Sequence, residues 1–202
     1  MSKGMKTFLI VLAVIVILGF MFYGYVSGTY NNLVRLEEGV KASWAQVQNV
    51  YQRRADLIPN LVETVKGYAA HEKTTLQDVV DARSRVGSIQ LDQNIINNPQ
   101  ALKKFQSVQG DLSGALSRLL VVTENYPQLK ANENFLSLQS QLEGTENRIT
   151  VERMRYNEAA REFNTKRRMF PASIIANMSG FQEKAYFEAE EGAEKAPRVK
   201  FN

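Results

Sequence analysis

The sequence predicts an all-α protein, in which an N-terminal transmembrane helix is followed by an antiparallel, up-and-down four-helix bundle. Three observations favour this class: a long uncharged segment near the N-terminus, apolar residues three or four positions apart along most of the chain, and no strand-like alternation. A length of 202 residues suits one domain with a small appendage. With 44% hydrophobic residues, the chain has enough apolar side chains for a folded core.

The anchor is predicted from Phe8 to Val26, 19 residues without a charge, after a short tail of residues 1–7. At about 1.5 Å per residue, this helix nearly spans a hydrocarbon core of about 30 Å. The apolar region of a cleaved signal peptide is shorter, about 7–15 residues. Lys3 and Lys6 favour a cytoplasmic N-terminus, and the bias is small because basic residues also follow the segment. We expect a single membrane span with the body on the extracytoplasmic side.

The first body helix is predicted from Asn31 to Arg54. Its apolar stripe consists of Leu33, Leu36, Val40, Trp44, Val47 and Val50. Pro59 then either kinks a continuous helix or lies in the first turn of a new helix capped by Asp56. A continuous helix from Asn31 to Val86 would be about 84 Å long, twice the length of its partners. We therefore predict a break near residues 54–56, which gives four helices of similar length.

Two later helices have clear starts. The earlier one is predicted to start after Asn98, with Pro99 in its first turn, and Asn132 is the predicted N-cap of the last helix. The stripe of the earlier helix is Leu102, Phe105, Leu112, Leu116, Leu119 and Tyr126. The last helix has an apolar residue at every seventh position, namely Phe135, Leu142, Ile149, Tyr156, Phe163 and Phe170. Its other edge becomes polar along the helix, which is typical of a bundle helix rather than a two-stranded coiled coil.

These helices define a predicted bundle domain of residues 29–170, with loops at residues 87–98 and 127–131. Residues 171–202 are predicted to form a tail of one or two short helices, an acidic stretch and an extended end, PRVKFN. The bundle is expected to use its apolar stripes for internal packing. Direct lipid remodelling by the body would instead need an apolar helix face directed outward.

The composition argues against enzymatic chemistry. Cysteine is absent and His71 is the single histidine, so one chain cannot build a thiolate site or a site with two imidazoles. Neither a G-x-S-x-G motif nor a phosphate-binding glycine loop occurs. Residues 29–202 carry 23 basic and 21 acidic side chains, too even a balance for a nucleic-acid-binding face. We predict no enzymatic activity, no cofactor, no metal and no nucleic-acid partner.

Candidate interface residues lie on polar faces. Asp56, Asn60, Glu63 and Gly67 recur at helical spacing and form one predicted outward face, where glycine permits close approach of another backbone. Three basic clusters are expected at helix ends, with lipid headgroups or phosphate as alternative partners: Arg53-Arg54, Lys103-Lys104 and Lys166-Arg167-Arg168. Three glutamates of the last helix are candidates for pairing with arginines of a neighbouring helix: Glu143, Glu146 and Glu152.

An enzymatic alternative remains open. His71 could act with carboxylates contributed across an oligomer interface, as a metal-dependent or hydrolytic site. A solvated histidine at a helix surface is the simpler interpretation, because no Glu-x-x-His pair precedes it: the residue three positions earlier is Tyr68.

Long stretches of the chain resemble the bacterial LemA family. They read YNNLVRLEEGVKASWAQVQNVYQRRADLIPNLVETVKGYAAHE at residues 30–72 and YPQLKANENFLSLQSQLEGTENRITVERMRYNEAAREFN at 126–164, followed by FP and the terminal PRVKF. Phe163 departs from the family pattern, which often has tyrosine there.

The resemblance implies a membrane-tethered antiparallel helical bundle in the bacterial inner or cell membrane, with no established enzymatic function or cofactor. LemA-like proteins are often encoded near membrane metalloproteases and other envelope proteins. This association implies protein partners in the envelope, a membrane metalloprotease among them, or a homo-oligomer. The motif-matching residues expected at an interface are Arg53, Arg54, Asp56, Asn60, Glu63, His71, Glu146, Asn147 and Arg148. The sequence thus predicts a non-enzymatic, membrane-anchored scaffold or adaptor.

Overall fold

The computed structural model describes residues 3–88 and 93–188. Its helices are α1 (Lys3–Tyr68), α2 (Lys73–Gly87), α3 (Pro99–Thr123), α4 (Pro127–Lys130), α5 (Glu133–Arg168) and α6 (Ala172–Met178), with a 3₁₀ helix at Gln93–Asn97. No strand occurs within these two ranges, which confirms the all-α prediction. The predicted extended end and most of the acidic stretch before it lie outside the described residues.

Helix α1 carries both the candidate anchor and the first helix of the body. It has 66 residues and is about 99 Å long. Residues 3–25 are exposed, and this part is long and apolar enough to cross a membrane. Packing against other elements starts at Thr29, which is 7% exposed. We call the end of the body near Thr29 the membrane end and the end near Tyr68 the far end.

The predicted helix break near residues 54–56 is wrong, because α1 continues through Pro59 to Tyr68. Proline lacks the N–H that would bond to the carbonyl of Ala55 in a regular helix. Arg83 of α2 donates its Nε–H to that carbonyl instead, at 3.0 Å. The proline is also on the exposed side of the helix. The chain first reverses between α1 and α2, after Tyr68.

No continuous helix reaches Val86, as its excessive length predicted, but the break lies at residues 69–72 because the partners of α1 are unequal. Helix α5 runs antiparallel along nearly the whole body part of α1: Asn132 Nδ2 donates to Tyr68 Oη at the far end (3.0 Å), and the Tyr156 ring packs on Trp44 nearer the membrane end (5.7 Å). Helix α2 packs only on the far half of α1. On the other half, residues of the 3₁₀ helix and of the segment 181–188 complete the core.

The predicted apolar stripes face the core, with one exception. Leu36, Val50 and Tyr126 are partly buried and pack against it. The fully or nearly fully buried stripe residues are Leu33, Val40, Trp44, Val47, Leu102, Phe105, Leu112, Leu116, Leu119, Phe135, Leu142, Ile149, Tyr156 and Phe163. Both predicted helix starts are confirmed, and so is the predicted N-cap Asn132, whose Oδ1 accepts from the backbone of Phe135 (3.0 Å). Asn98 Oδ1 likewise accepts from the backbone of Gln100 (3.0 Å). The exception is Phe170, which lies beyond the end of α5 and is 83% exposed.

The segment 181–188 has no regular secondary structure and belongs to the predicted tail, yet it packs into the core. The Phe187 ring lies 6.1 Å from Trp44 and 5.5 Å from Tyr156, centroid to centroid. Lys184, with a side chain only 2% exposed, donates to Glu37 Oε1 at 2.6 Å. Asn164 fixes the segment further, because its amide accepts from and donates to the Lys184 backbone (2.9 and 2.8 Å). The segment therefore closes the membrane end of the body.

Burial of Tyr156 predicts a loss of stability at alkaline pH. Its hydroxyl donates to the Ala185 carbonyl (2.9 Å), and desolvation raises the pKa of Tyr156 well above the ordinary value of 10.0, with a smaller contribution from Tyr186. A pKa that is raised in the folded state stabilises the folded protein. This stabilisation is complete below pH ~10 and is lost as the pH rises further. We expect the free energy of unfolding to fall above pH ~10 by up to about 1.4 kcal/mol per pH unit for this group.

The Tyr156→Phe variant isolates this effect. Without the hydrogen bond, its free energy of unfolding should be about 1 kcal/mol lower than that of the parent at neutral pH. Between pH ~10 and ~12, this free energy should fall less steeply with pH than that of the parent. Urea unfolding followed by the fluorescence of the single tryptophan, Trp44, measures both quantities. Equal slopes in the two proteins would contradict this assignment.

Candidate functional site

Five predicted interface residues form one exposed stripe along the far half of α1. Arg53, Asp56, Asn60, Glu63 and Gly67 are all exposed, and their spacing places them on one face of the continuous helix. We call this set the docking stripe. It is formed because the opposite face carries the buried row that packs against α2 and α5.

The docking stripe borders an open groove between α1 and α5, with a volume of about 460 Å³. Its lining residues are Asn60, Glu63, Thr64, Asn134, Ser137, Leu138 and Gln141. The lining is mostly polar and uncharged, so it offers amide and hydroxyl groups on both walls. The α5 wall was missed by the sequence analysis, although Asn134, Ser137 and Gln141 recur at helical spacing.

Among residues 3–88 and 93–188, the charged groups of the stripe have only local partners. Gln52 Nε2 donates to Asp56 Oδ1 (2.8 Å), and Lys66 pairs with Glu63 (3.3 Å) while both side chains stay largely exposed. Such exposed pairs within one helix contribute little stability. At Gly67, an added Cβ would meet no atom within 4 Å, so the backbone there is open to approach. The residues of the stripe can therefore exchange these contacts for contacts with a partner at little cost in free energy.

Arg54 does not belong to the predicted outward face. The residue is 1% exposed, and its guanidinium lies in the core between α1, α3 and α5. Nη1 donates to Glu146 Oε1 (2.7 Å) and to Ser113 Oγ (2.8 Å), and Nη2 donates to the backbone and side-chain oxygens of Gln109. The interpretation of the Arg53-Arg54 pair as a helix end is wrong because α1 does not end there.

The spacing of α1 contained the signal for this burial. Val47, Tyr51 and Ile58 are buried, and Arg54 occupies the position three after Tyr51 and four before Ile58 on the same face. A charged residue at a core position of a helix needs a partner from another helix. The prediction that a glutamate of the last helix pairs with an arginine of a neighbouring helix is confirmed for Glu146. Glu152 pairs with Arg155 of its own helix instead.

The three interface candidates on α5 lie on two different sides of that helix. Glu146 and Asn147 line a second groove, between α3 and α5, of about 470 Å³. Arg148 is exposed, and its helical spacing from Gln141 and Ser137 places it on the side of the α1–α5 groove. The structure therefore groups Arg148 with the docking stripe and separates Glu146 and Asn147 from it.

His71 is exposed in the turn between α1 and α2. The neighbouring carboxylate is already engaged, because Tyr126 Oη donates to Glu72 Oε1 at 2.8 Å. This hydrogen bond raises the pKa of Tyr126 above its usual value. Within residues 3–88 and 93–188, no group of three or more His, Asp or Glu side chains is arranged to hold a metal ion.

A long apolar N-terminal helix, an all-helical body and open polar grooves define a class, the membrane-associated helical proteins. The chain belongs to the LemA family, whose family model matches residues 43–201, so the resemblance seen in the sequence is confirmed. It is 26% identical over 189 residues to Protein LemA of Metamycoplasma hominis, a match that covers 93% of this chain and 81% of that protein.

Two further relatives are magnetosome proteins. The chain is 27% identical over 176 residues to magnetosome protein MamQ 2 of Paramagnetospirillum magneticum, and 25% identical over 175 residues to MamQ of Magnetospirillum gryphiswaldense. These matches cover 79% and 78% of this chain. The chain spans 64% of the length of each of these two relatives. None of these names states an enzymatic activity.

Proposed function

We propose that the protein is a membrane-anchored scaffold: an up-and-down four-helix body on a single span, which binds membrane or envelope proteins, or a second copy of itself, through the docking stripe. One observation carries the proposal. The stripe is a continuous exposed polar face beside an open groove, and the pairs that Asp56 and Glu63 make are weak and local.

The physical properties of the stripe suit a reversible interface. Exposed charges of both signs, from Arg53 and Arg148 to Asp56 and Glu63, give specificity and steer encounter more than they add affinity. The shallow groove and the open backbone at Gly67 admit a partner helix or loop. The relatives named as magnetosome proteins support a role at a membrane. A membrane metalloprotease is one candidate partner. The lysines before the span favour an orientation with the body on the extracytoplasmic side of the membrane.

Reversal of charge on the stripe tests the scaffold role. In the full chain expressed in membranes, a photo-crosslinking residue at position 60 captures whatever lies on the groove. The double variant Asp56→Lys/Glu63→Lys should reduce the cross-linked product about tenfold, which corresponds to about 1.4 kcal/mol of binding free energy. The reason is that two attractive contacts with the partner become repulsive.

The matched control is Asp78→Lys/Asp111→Lys, which makes the same charge change at exposed positions on α2 and α3. Its cross-linking should equal that of the parent protein. A stripe variant that keeps the full yield of cross-linked product, or a parent chain that gives none, would count against the proposal.

A further inference from the structure

Large apolar side chains gather where α5 ends and α6 begins. Met169 and Phe170 connect the two helices, and Ile174 and Met178 lie one turn apart on α6. They are 53, 83, 52 and 83% exposed, respectively. We call these four residues the base patch. Ala172 and Ala176, on the other side of α6, are buried, so the short helix is amphipathic with its larger apolar residues outward.

The base patch lies at the membrane end of the body. Met169 lines a groove together with Asn32, which is six residues, or about 9 Å, beyond the last residue of the apolar segment. The Phe181 ring, just after α6, lies 5.7 Å from the ring of Tyr30, which is about 6 Å beyond the same point. The polar headgroup layer on each side of a bilayer is about 5–7 Å thick. When the apolar segment fills the hydrocarbon core, the Phe181 ring next to α6 lies level with the headgroups and Met169 lies at their outer edge.

The surroundings of the base patch match a lipid surface. The last turn of α5 carries Lys166 and Arg168, whose charges suit anionic headgroups. Tyr23 and Tyr25 are exposed on α1 close to the same level, where tyrosine favours the membrane–water interface. Clustered exposed apolar residues with a basic rim are uncommon on a surface that faces only water. Phe170 is in this patch and not in the buried stripe because α5 ends at Arg168, before the spacing reaches it.

We propose that the base patch inserts into the headgroup region of the bilayer that holds α1, so that the body is seated on the membrane at two points, its anchor and α6. The inference rests on the membrane anchoring in the proposed function. Because α1 is one continuous helix, a second contact restrains the rotation and tilt of the whole body. The docking stripe, on the far half of α1, is then held at a defined height above the membrane.

Site-specific labelling tests the seating. The chain has no cysteine, so single cysteines can carry an environment-sensitive fluorophore without other changes. The full chain is reconstituted in vesicles of phosphatidylcholine and phosphatidylglycerol and labelled at Met178→Cys, at Val121→Cys or at Leu12→Cys. Val121 is the matched control, because it is an exposed apolar residue (69%) on the last turns of α3, toward the far end. Leu12 reports whether the anchor is inserted.

The expected result is quenching at Met178→Cys by lipids spin-labelled near the headgroup, with quenching by aqueous iodide several-fold lower than at Val121→Cys. Adding Phe170→Asp should restore iodide access at position 178, whereas Val121→Asp should not. Iodide access at 178 equal to that at 121, with Leu12→Cys quenched by lipid, would overturn the seating but leave the anchor intact. Protection at 178 from both quenchers would also overturn it, since protein would then cover the patch. A Leu12→Cys label open to iodide would refute the anchor itself.

Discussion

Replacing Phe187 with alanine is expected to lower the free energy of unfolding by about 3–4 kcal/mol, the cost typical of removing a buried phenylalanine ring. The ring contacts Trp44, Tyr156 and Phe105, and the Arg153 guanidinium lies 4.8 Å from its centroid. The ring also holds the segment 181–188 against the core at the membrane end, which α2 does not reach. Its loss should therefore free the segment as well as leave a cavity.

The measurement is urea unfolding of the full chain in detergent, followed by the fluorescence of Trp44, whose indole lies 6.1 Å from the ring removed. Met154→Ala is the control, because it truncates a large apolar side chain of the same body that is 65% exposed. Its unfolding free energy should change by less than about 0.5 kcal/mol. Similar small changes in both variants would show that residues 181–188 are not part of the cooperative core.

The Glu146→Gln variant is expected to be less stable than the parent by about 2–3 kcal/mol. Removing one partner of a buried ion pair usually costs about 3–5 kcal/mol, because the other charge stays buried without compensation. Arg54 is fully enclosed, but the Glu146 side chain is 42% exposed, so water screens part of the interaction. Ser113 and Gln109 still solvate the guanidinium, which also keeps the loss below the upper limit.

Two comparisons separate this pair from a general effect of charge. Glu143→Gln makes the same change one turn earlier on α5 and should be nearly neutral, because the exposed carboxylate accepts from Gln139 of its own helix. The double variant Arg54→Met/Glu146→Gln should be more stable than Glu146→Gln alone, since it also removes the buried charge. If the double variant is less stable than Glu146→Gln, Arg54 is stabilised chiefly by its neutral partners.

Helix starts, helix faces and the candidate anchor could be predicted from the sequence because each depends on local chemistry. Asn98 and Asn132 cap helices with their own side chains, and the seven-residue apolar repeat places Phe135 and Tyr156 in the core whatever the partner is. The face made by Asp56, Asn60, Glu63 and Gly67 follows from helical spacing alone. Its use as an interface stays a prediction.

Contacts between residues distant in the chain decided the rest. Whether Pro59 ends a helix depends on a donor for the Ala55 carbonyl, and Arg83 supplies it from 28 positions away. Whether Arg54 faces water depends on a carboxylate 92 positions later. The sequence by itself determined which side of each helix is apolar, because side-chain spacing fixes the face. Only the tertiary structure decided which polar groups are buried and which apolar groups stay outside, because that depends on what each face meets.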